Sequence, residues 1–600
     1  MSKSFVVLCM TLLLGLSAFA DEKASDTSGQ SKPASDKKPT KTTVAMMTVK
    51  GSLPETAGQL GLFGELEVNL AEFLSRLERV ANDKALSGVV LKIRNPDIGP
   101  GKVREVREAI GRVRKAGKKV TAQLESAASP DYLVACACDE IVMPESGEIM
   151  IPGVRAEVMF YKGLFDRLGI QSDMMQVGDF KGAAEPYTRT EMSAEFRKQY
   201  EVVLDDLYNQ MVEMIATDRK LEPAKVRELI DVGIFSTADA KAAGLIDEVV
   251  YDDELKARWE KKLEVEKVDI ADNYGKTKVN TDFSGMTGMF ELFNMMLGDK
   301  SSQGASSNKK LAVIYASGMI TSGDSMASLL GGEVMGSDTI IKAIRQASED
   351  KSVVAIVLRI DSPGGSAMAS DQIWRALQKC EKPVVASMGD VAASGGYYIA
   401  MGCDKIFAEP GTITGSIGVV GGKLVLKGLF DKVGLKTEVI SRGKNSSILS
   451  EQSMFSDSER GVWKKMMDEV YRQFLTKTAT GRKMELAKLE TLAGGRIWTG
   501  RQAKDVGLVD ELGTLRDAIA DAKKLGGQNP TDKLELLVLP KPKTFLDQLL
   551  EGDVSTSAPV GSRIRSSLPA SWRHLAEIEN LQRVLREPTL YLMPYQVEIR

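Results

Sequence analysis

Apolar residues fall along this chain in two alternating regimes. One is a short, continuous run of strand length, as in Val44-Ala45-Met46-Met47-Thr48-Val49, Leu311-Ala312-Val313-Ile314-Tyr315, Val353-Val354-Ala355-Ile356-Val357-Leu358 and Val384-Val385-Ala386-Ser387-Met388. The other has helical spacing. It covers Ala369 to Lys379, a segment starting at Ser394, and two long charged-amphipathic stretches around 194–216 and 457–479. A strand that is apolar on successive residues is buried on both faces, which is the pattern of a parallel sheet covered by helices. Strands alternating with helices therefore predict an α/β fold with right-handed crossovers.

The pattern occurs twice. Residues 162–169 read K-G-L-F-D-R-L-G and residues 427–434 read K-G-L-F-D-K-V-G, a spacing of 434 − 169 = 265. The same shift aligns Cys138-Asp139 with Cys403-Asp404, Ser129 with Ser394 and Lys181 with Ser446. Each copy closes on an A-x-x-x-G-L-[IV]-D-E segment, at Ala240–Glu248 and Ala503–Glu511. The expected organisation is two tandem α/β repeat domains, 44–270 and 309–530. A linker at 271–308 contains the amphipathic stretch Met289–Leu297, and an extension at 531–600 has no legible role.

The copies differ in what they keep. Lys181 lies in the first copy only, whereas the glycine-rich turn Asp361-Ser362-Pro363-Gly364-Gly365 lies in the second, opposite Arg94-Asn95-Pro96-Asp97-Ile98. Two copies can lose complementary groups only if they share one site.

Composition narrows the chemistry. The chain has 600 residues, 43% apolar and 27% charged, with a net charge of −3, so there is no electrostatic reason to expect a nucleic-acid partner. Its one histidine, His574, lies outside both repeats, which excludes a Ser-His-Asp triad within them and any zinc site built on two imidazoles. Cys136, Cys138, Cys380 and Cys403 read mostly as buried thiols. Residues 1–20 read as a secretory signal peptide, with Lys3, an apolar core from Phe5 to Leu16 and an Ala18-Phe19-Ala20 cleavage site; an uncleaved anchor is the alternative. Residues 21–43, with no apolar residue larger than alanine before Val44, read as a disordered spacer.

Ser394 sits among small residues in Asp390-Val391-Ala392-Ala393-Ser394-Gly395-Gly396-Tyr397-Tyr398, with a helical pattern right behind it. A serine at such a strand-to-helix turn exposes its hydroxyl beside free backbone N–H groups, the geometry of a nucleophile, although a helix N-cap serine reads the same way. Gly364-Gly365 follows an apolar strand at its carboxyl end, where it could supply a second oxyanion donor. With no histidine available, a base must be another group, and lysine serves if burial lowers its pKa. Lys181, in Gly178-Asp179-Phe180-Lys181-Gly182-Ala183-Ala184-Glu185-Pro186, is flanked suitably, yet a lone lysine is ordinarily a solvated charge.

Taken together, S-P-G-G, S-M-G-D-x-A-A-S-G-G-Y-Y, T-G-S-I-G and F-K-G-A-x-E-P resemble the signal peptide peptidase A (protease IV) family in its long, duplicated form, from about residue 44 to 525. That resemblance implies tandem Clp protease/crotonase-like domains and a Ser-Lys dyad, with Ser394 as nucleophile and Lys181 as general base. It further implies that Ser416 orients the lysine and that Gly365 and Gly395 supply the oxyanion hole, with no cofactor or metal. The implied substrates are cleaved signal peptides and other apolar peptides beside the membrane. The implied assembly is a homo-oligomer, a tetramer by resemblance, in the periplasm or cell envelope. Ser129, followed by Pro130-Asp131 where the second copy has Gly-Gly, reads as a relic. A catalytically silent peptide-binding scaffold on the same fold is the other reading; an acyl-CoA enzyme is disfavoured because basic residues do not cluster near the glycine turn.

Overall fold

The computed structural model describes residues 41–55, 68–276, 309–327, 333–541 and 590–593. The signal segment, the amphipathic stretch at 289–297 and His574 lie outside the described residues.

Each half of the chain builds a parallel sheet on one plan. In the first, the strand order is Val268–Ala271, Thr42–Gly51, Leu86–Pro96, Lys119–Gln123, Glu140–Met143, Glu248–Val249, every pair parallel. In the second, Glu535–Leu539, Lys310–Ser317, Val353–Ser362, Val384–Ala393, Lys405–Ala408 and Glu511–Leu512 repeat that order, again parallel. The second copy thus takes its edge strand from Glu535–Leu539, beyond residue 530, because this strand fills the place that Val268–Ala271 fills in the first.

The continuous apolar runs have the expected cause. Side chains alternate between faces along a strand. Ala45, Met47 and Val49 enter one buried cluster of the first half, and Val44 enters another with Trp259 on the opposite face. In the second half, Ala312, Ile314 and Ala316 pack on one face and Leu311, Val313 and Tyr315 on the other. Both faces are covered along the middle of these strands, and polar residues such as Thr42, Lys50, Lys310 and Ser317 collect at their ends.

The G-L-[IV]-D-E segments close each sheet in the same way. Asp247 accepts a hydrogen bond from the Ile141 N–H and a bidentate pair from Arg219; Asp510 does the same for Ile406 and Arg482. The aspartates of the two Cys-Asp pairs likewise cap equivalent strands: Asp139 accepts from Val120 N at 2.8 Å and Asp404 from Val384 N at 2.8 Å.

The halves are joined by a third, seven-stranded sheet. Gln171–Val177 of the first half pairs antiparallel with Val419–Val425 of the second along seven register positions, from Gln171↔Val425 to Val177↔Val419. The repeated K-G-L-F-D helices, Lys162–Leu168 and Lys427–Lys432, flank this junction. A Cβ on Gly428 would lie 2.5 Å from the Gly169 carbonyl oxygen, so that contact needs glycine. The C-terminal extension also enters the sheet: Leu590–Leu592 lies between Gly364–Ser366 and Val419–Val425.

Candidate active site

Ser394 stands between the strand Val384–Ala393 and the helix Gly395–Ala400. Its backbone is at φ 56, ψ −112, a region that a residue bearing a Cβ enters only under constraint. The constraint is visible: Ser394 N–H donates to the Gly415 carbonyl at 2.8 Å, and Tyr398 N–H closes the first helical turn on the Ser394 carbonyl. The hydroxyl makes no capping bond to its helix. It is turned to Lys181 instead, whose Nζ lies 2.6 Å from Ser394 Oγ.

Lys181 comes from the turn after Gln171–Val177, the strand that crosses to the second half. Its side chain is fully buried. Besides Ser394, Nζ donates to the Ser416 carbonyl at 2.8 Å and reaches Ser416 Oγ at 2.9 Å. Burial alone drives its pKa well below the ordinary lysine range, with no carboxylate opposing the shift. Ser416, like Ser394, has positive φ, at 53°, and its N–H donates to the Arg496 carbonyl at 2.6 Å.

Glycines of the second half admit this lysine. A Cβ on Gly495 would sit 2.4 Å from Lys181 N, and one on Gly418 3.1 Å from Lys181 Cδ. Phe180 N–H also donates to the Gly494 carbonyl, and the Arg496 guanidinium stacks 3.6 Å from the centre of the Phe180 ring. Gly494 and Gly495 were not among the expected site residues. Their signal in the sequence is a Gly-Gly pair directly after the helical run Leu486–Leu492.

Gly365 and Gly395 meet on the other side of Ser394. A Cβ on Gly395 would lie 3.2 Å from Gly365 N and 2.7 Å from Ser370 Oγ, and one on Gly365 would strike the Ile320 carbonyl oxygen at 2.0 Å. Ser394, Lys181, Ser416, Gly365 and Gly395 are therefore assembled in one place.

The corresponding place in the first half is closed. Ser129 is buried at the start of the helix Ser129–Cys136, and the Asp131 carboxylate accepts from the N–H groups of Asn95 (2.8 Å) and Ala128 (3.0 Å). Asn95 and Ala128 stand opposite Ser362 and Ala393, while the residue opposite Gly395 is Pro130, which has no N–H to donate. Burial raises Asp131 to about 6.

Behind the glycine turn lies a buried ionic cluster that the sequence did not reveal. Lys102 of the first half reaches Asp361 (3.4 Å) and Asp390 (3.6 Å) of the second, while Arg359 pairs with Glu55 (2.8 Å) and Glu105 (3.2 Å). The four cysteines among the described residues are free thiols; Cys136, Cys138 and Cys403 are buried and Cys380 is partly so. Among the described residues, no helix is long and apolar enough to cross a membrane.

Known proteins resemble this chain along most of its length. The chloroplastic serine protease SPPA of Arabidopsis thaliana is 33% identical over 533 residues, 88% of this chain and 76% of that protein. Protease 4 of Salmonella typhi is 28% identical, covering 87% and 83%, and Protease 4 of Haemophilus influenzae is 32% identical, covering 70% and 67%. A Clp protease family matches residues 328–412, in agreement with the parallel α/β sheet there. Peptidase family S49 matches twice, at residues 112–266 and 376–529, once on each copy of the repeated sheet, and the chain belongs to that family in duplicated form.

Proposed function

We propose that this chain is a serine endopeptidase with a Ser-Lys dyad, in which Ser394 attacks the peptide carbonyl and Lys181 takes its proton. The observation that carries this reading is the 2.6 Å contact between Lys181 Nζ and Ser394 Oγ in a fully buried setting. A neutral amine has two N–H groups and one lone pair. Ser416 offers two acceptors, its carbonyl oxygen and Oγ, which use both N–H groups and leave the lone pair for the Ser394 hydroxyl. Burial favours the neutral amine, the form that can accept the serine proton.

After attack, the tetrahedral oxyanion takes hydrogen bonds from the N–H groups of Gly365 and Gly395, each worth a few kcal/mol in a site that excludes water. Lys181 then returns the proton to the leaving amine, and water repeats the cycle on the acyl-enzyme. Small and apolar side chains pack around the dyad, among them Ala183 and Ala184 after Lys181, Ala393 before Ser394, Val420 and Ile413, and we assign the peptide groove to this region. Apolar peptides fit it, and spent signal peptides in the cell envelope are the substrate class proposed, acted on near the membrane by a homo-oligomer.

The test is activity on an apolar peptide together with fluorophosphonate labelling. Ser394→Ala should lose both, and Lys181→Met should lose turnover while staying folded. Ser129→Ala should retain activity within about twofold, because Ser129, buried in the first half, is not among the groups gathered around Lys181 and Ser394. Labelling at Ser129, or undiminished turnover in Ser394→Ala, would overturn the assignment; no labelling of the folded wild type would favour the silent scaffold.

A further inference from the structure

The strand Leu590–Leu592 occupies an unusual position. Among the described residues it is the only link in the seven-stranded sheet between two groups of strands: Gly364–Ser366 with its neighbours on one side, and Val419–Val425 with Gln171–Val177 on the other. It runs antiparallel to both. Without it, each group would present an unpaired edge, a row of backbone donors and acceptors that any extended segment can satisfy.

Its register places it across the reacting groups. Tyr591 lies opposite Gly365, and Met593 N–H donates to the Pro363 carbonyl at 2.9 Å. The buried Leu590 side chain packs against Ala183 and Ala184, two and three residues after Lys181. The buried Met593 side chain packs with Ala393, the residue before Ser394, and with Ile413 and Ile497. In the sequence, Pro588 and Pro594 bracket this segment, and neither can donate a ladder hydrogen bond, so the run is suited to a short pairing.

We propose that the segment around residues 590–593 is the resident occupant of the peptide groove, an extended piece of this chain that substrate must displace. The inference rests on the groove being the peptide site of the proposed endopeptidase, and it names the first ligand of that site. A tethered segment meets its groove at an effective concentration on the order of millimolar. Even a weak strand therefore competes with free peptide, while leaving the chemistry of Ser394 and Lys181 unchanged once it has left.

The experiment compares the full chain with a chain ending at Lys541 and with full-length Tyr591→Pro, which removes one N–H facing Gly365 and keeps the rest. Both variants should show KM for an apolar peptide lowered about threefold or more, with kcat within about twofold. A synthetic peptide covering residues 587–596 should inhibit the shortened chain competitively. The same peptide, fluorescently labelled, should bind the shortened chain carrying Ser394→Ala, so occupancy is read without turnover and stands apart from any failure of the Ser-Lys assignment. If the shortened chain does not fold, Tyr591→Pro decides. Unchanged KM in the folded variants, with no binding or inhibition by the peptide, overturns the proposal.

Discussion

Lys181 gathers most of the site's energetics at a single residue. Its folded-state pKa is pushed down by burial, so over the range between that value and the ordinary lysine value the unfolded chain holds a proton that the folded chain lacks. Stability then rises with pH, by about 1.4 kcal/mol per pH unit from this one group, until the unfolded lysine also deprotonates. Lys181→Met removes that slope. It also leaves the Ser416 carbonyl and hydroxyl without their partner, a loss of about 1–3 kcal/mol. Denaturant titrations of wild type and Lys181→Met should therefore show the stability difference moving towards the wild type as pH rises from the depressed Lys181 pKa to the ordinary lysine range. A pH-independent difference would mean that the folded lysine is already protonated, which a general base cannot be. Activity has the same sign: the neutral fraction of Lys181, and with it turnover, increases as pH rises through the depressed pKa. Ser394 was legible because small neighbours surround it, and Ser416 only through the resemblance of T-G-S-I-G; their positive φ was not, because it is held by the hydrogen bonds their N–H groups donate to the carbonyls of Gly415 and Arg496, distant or unremarkable in the sequence.

At the level of elements, the two turns that present Ser394 and Gly365 are anchored by the first half of the chain. Asp361 and Asp390 begin those turns. Lys102, near the start of the helix Pro100–Lys115, bridges both carboxylates, and its backbone N–H donates to Asp390 at 3.0 Å. Burial pushes Asp361 up to about 6 against the pull of Lys102, while burial of Lys102 is outweighed by Asp361 and Asp390, which hold it above the ordinary range. Lys102→Met would strand two buried carboxylates, a loss on the order of 3 kcal/mol at neutral pH. The loss should shrink as pH falls and the stranded Asp361, already pushed up to about 6, takes up a proton, so unfolding midpoints of the variant and wild type should converge from pH 8 to pH 5. A loss that is constant over that range would remove Lys102 from the ionic cluster. Turnover should fall about tenfold, since small displacements of positioned groups weaken catalysis strongly. Nothing in the sequence marked Lys102, one of the chain's 79 basic residues, because its partners lie some 260 and 290 positions away. The strands and long helices were legible because both faces of each sheet are covered, which writes an unbroken apolar run. The edge strand Glu535–Leu539 was not read as part of the second copy: its alternating exposed and half-buried residues carry a weaker pattern.

At the scale of the whole molecule, the central question is whether Lys181 serves Ser394 of its own chain. The duplication argument required only that the two copies share a site, and it left open whether they do so within a chain or between chains. Within one chain the junction is already complete. Gln171–Val177, the strand that leads to Lys181, is paired along its length with Val419–Val425 of the same chain. The buried Asp173 on it accepts from Phe455 N–H at 2.7 Å and pairs with Arg460 at 2.7 Å. Gly178 is seated directly against Gly494, where a Cβ would lie 2.5 Å away. Exchanging this strand between copies would break all of those contacts and remake them in a neighbour, with no gain in the number made, and domain swapping of that kind is favoured only when a hinge is strained. Ser394→Ala and Lys181→Met subunits refolded together, and shown by mass to share one oligomer, should therefore remain as inactive as either alone, because every chain carries one broken half of its own dyad. Activity that grows in proportion to co-assembly would show that the lysine reaches a neighbouring serine, and the closed junction between the two halves would then describe only one of two interchangeable partners.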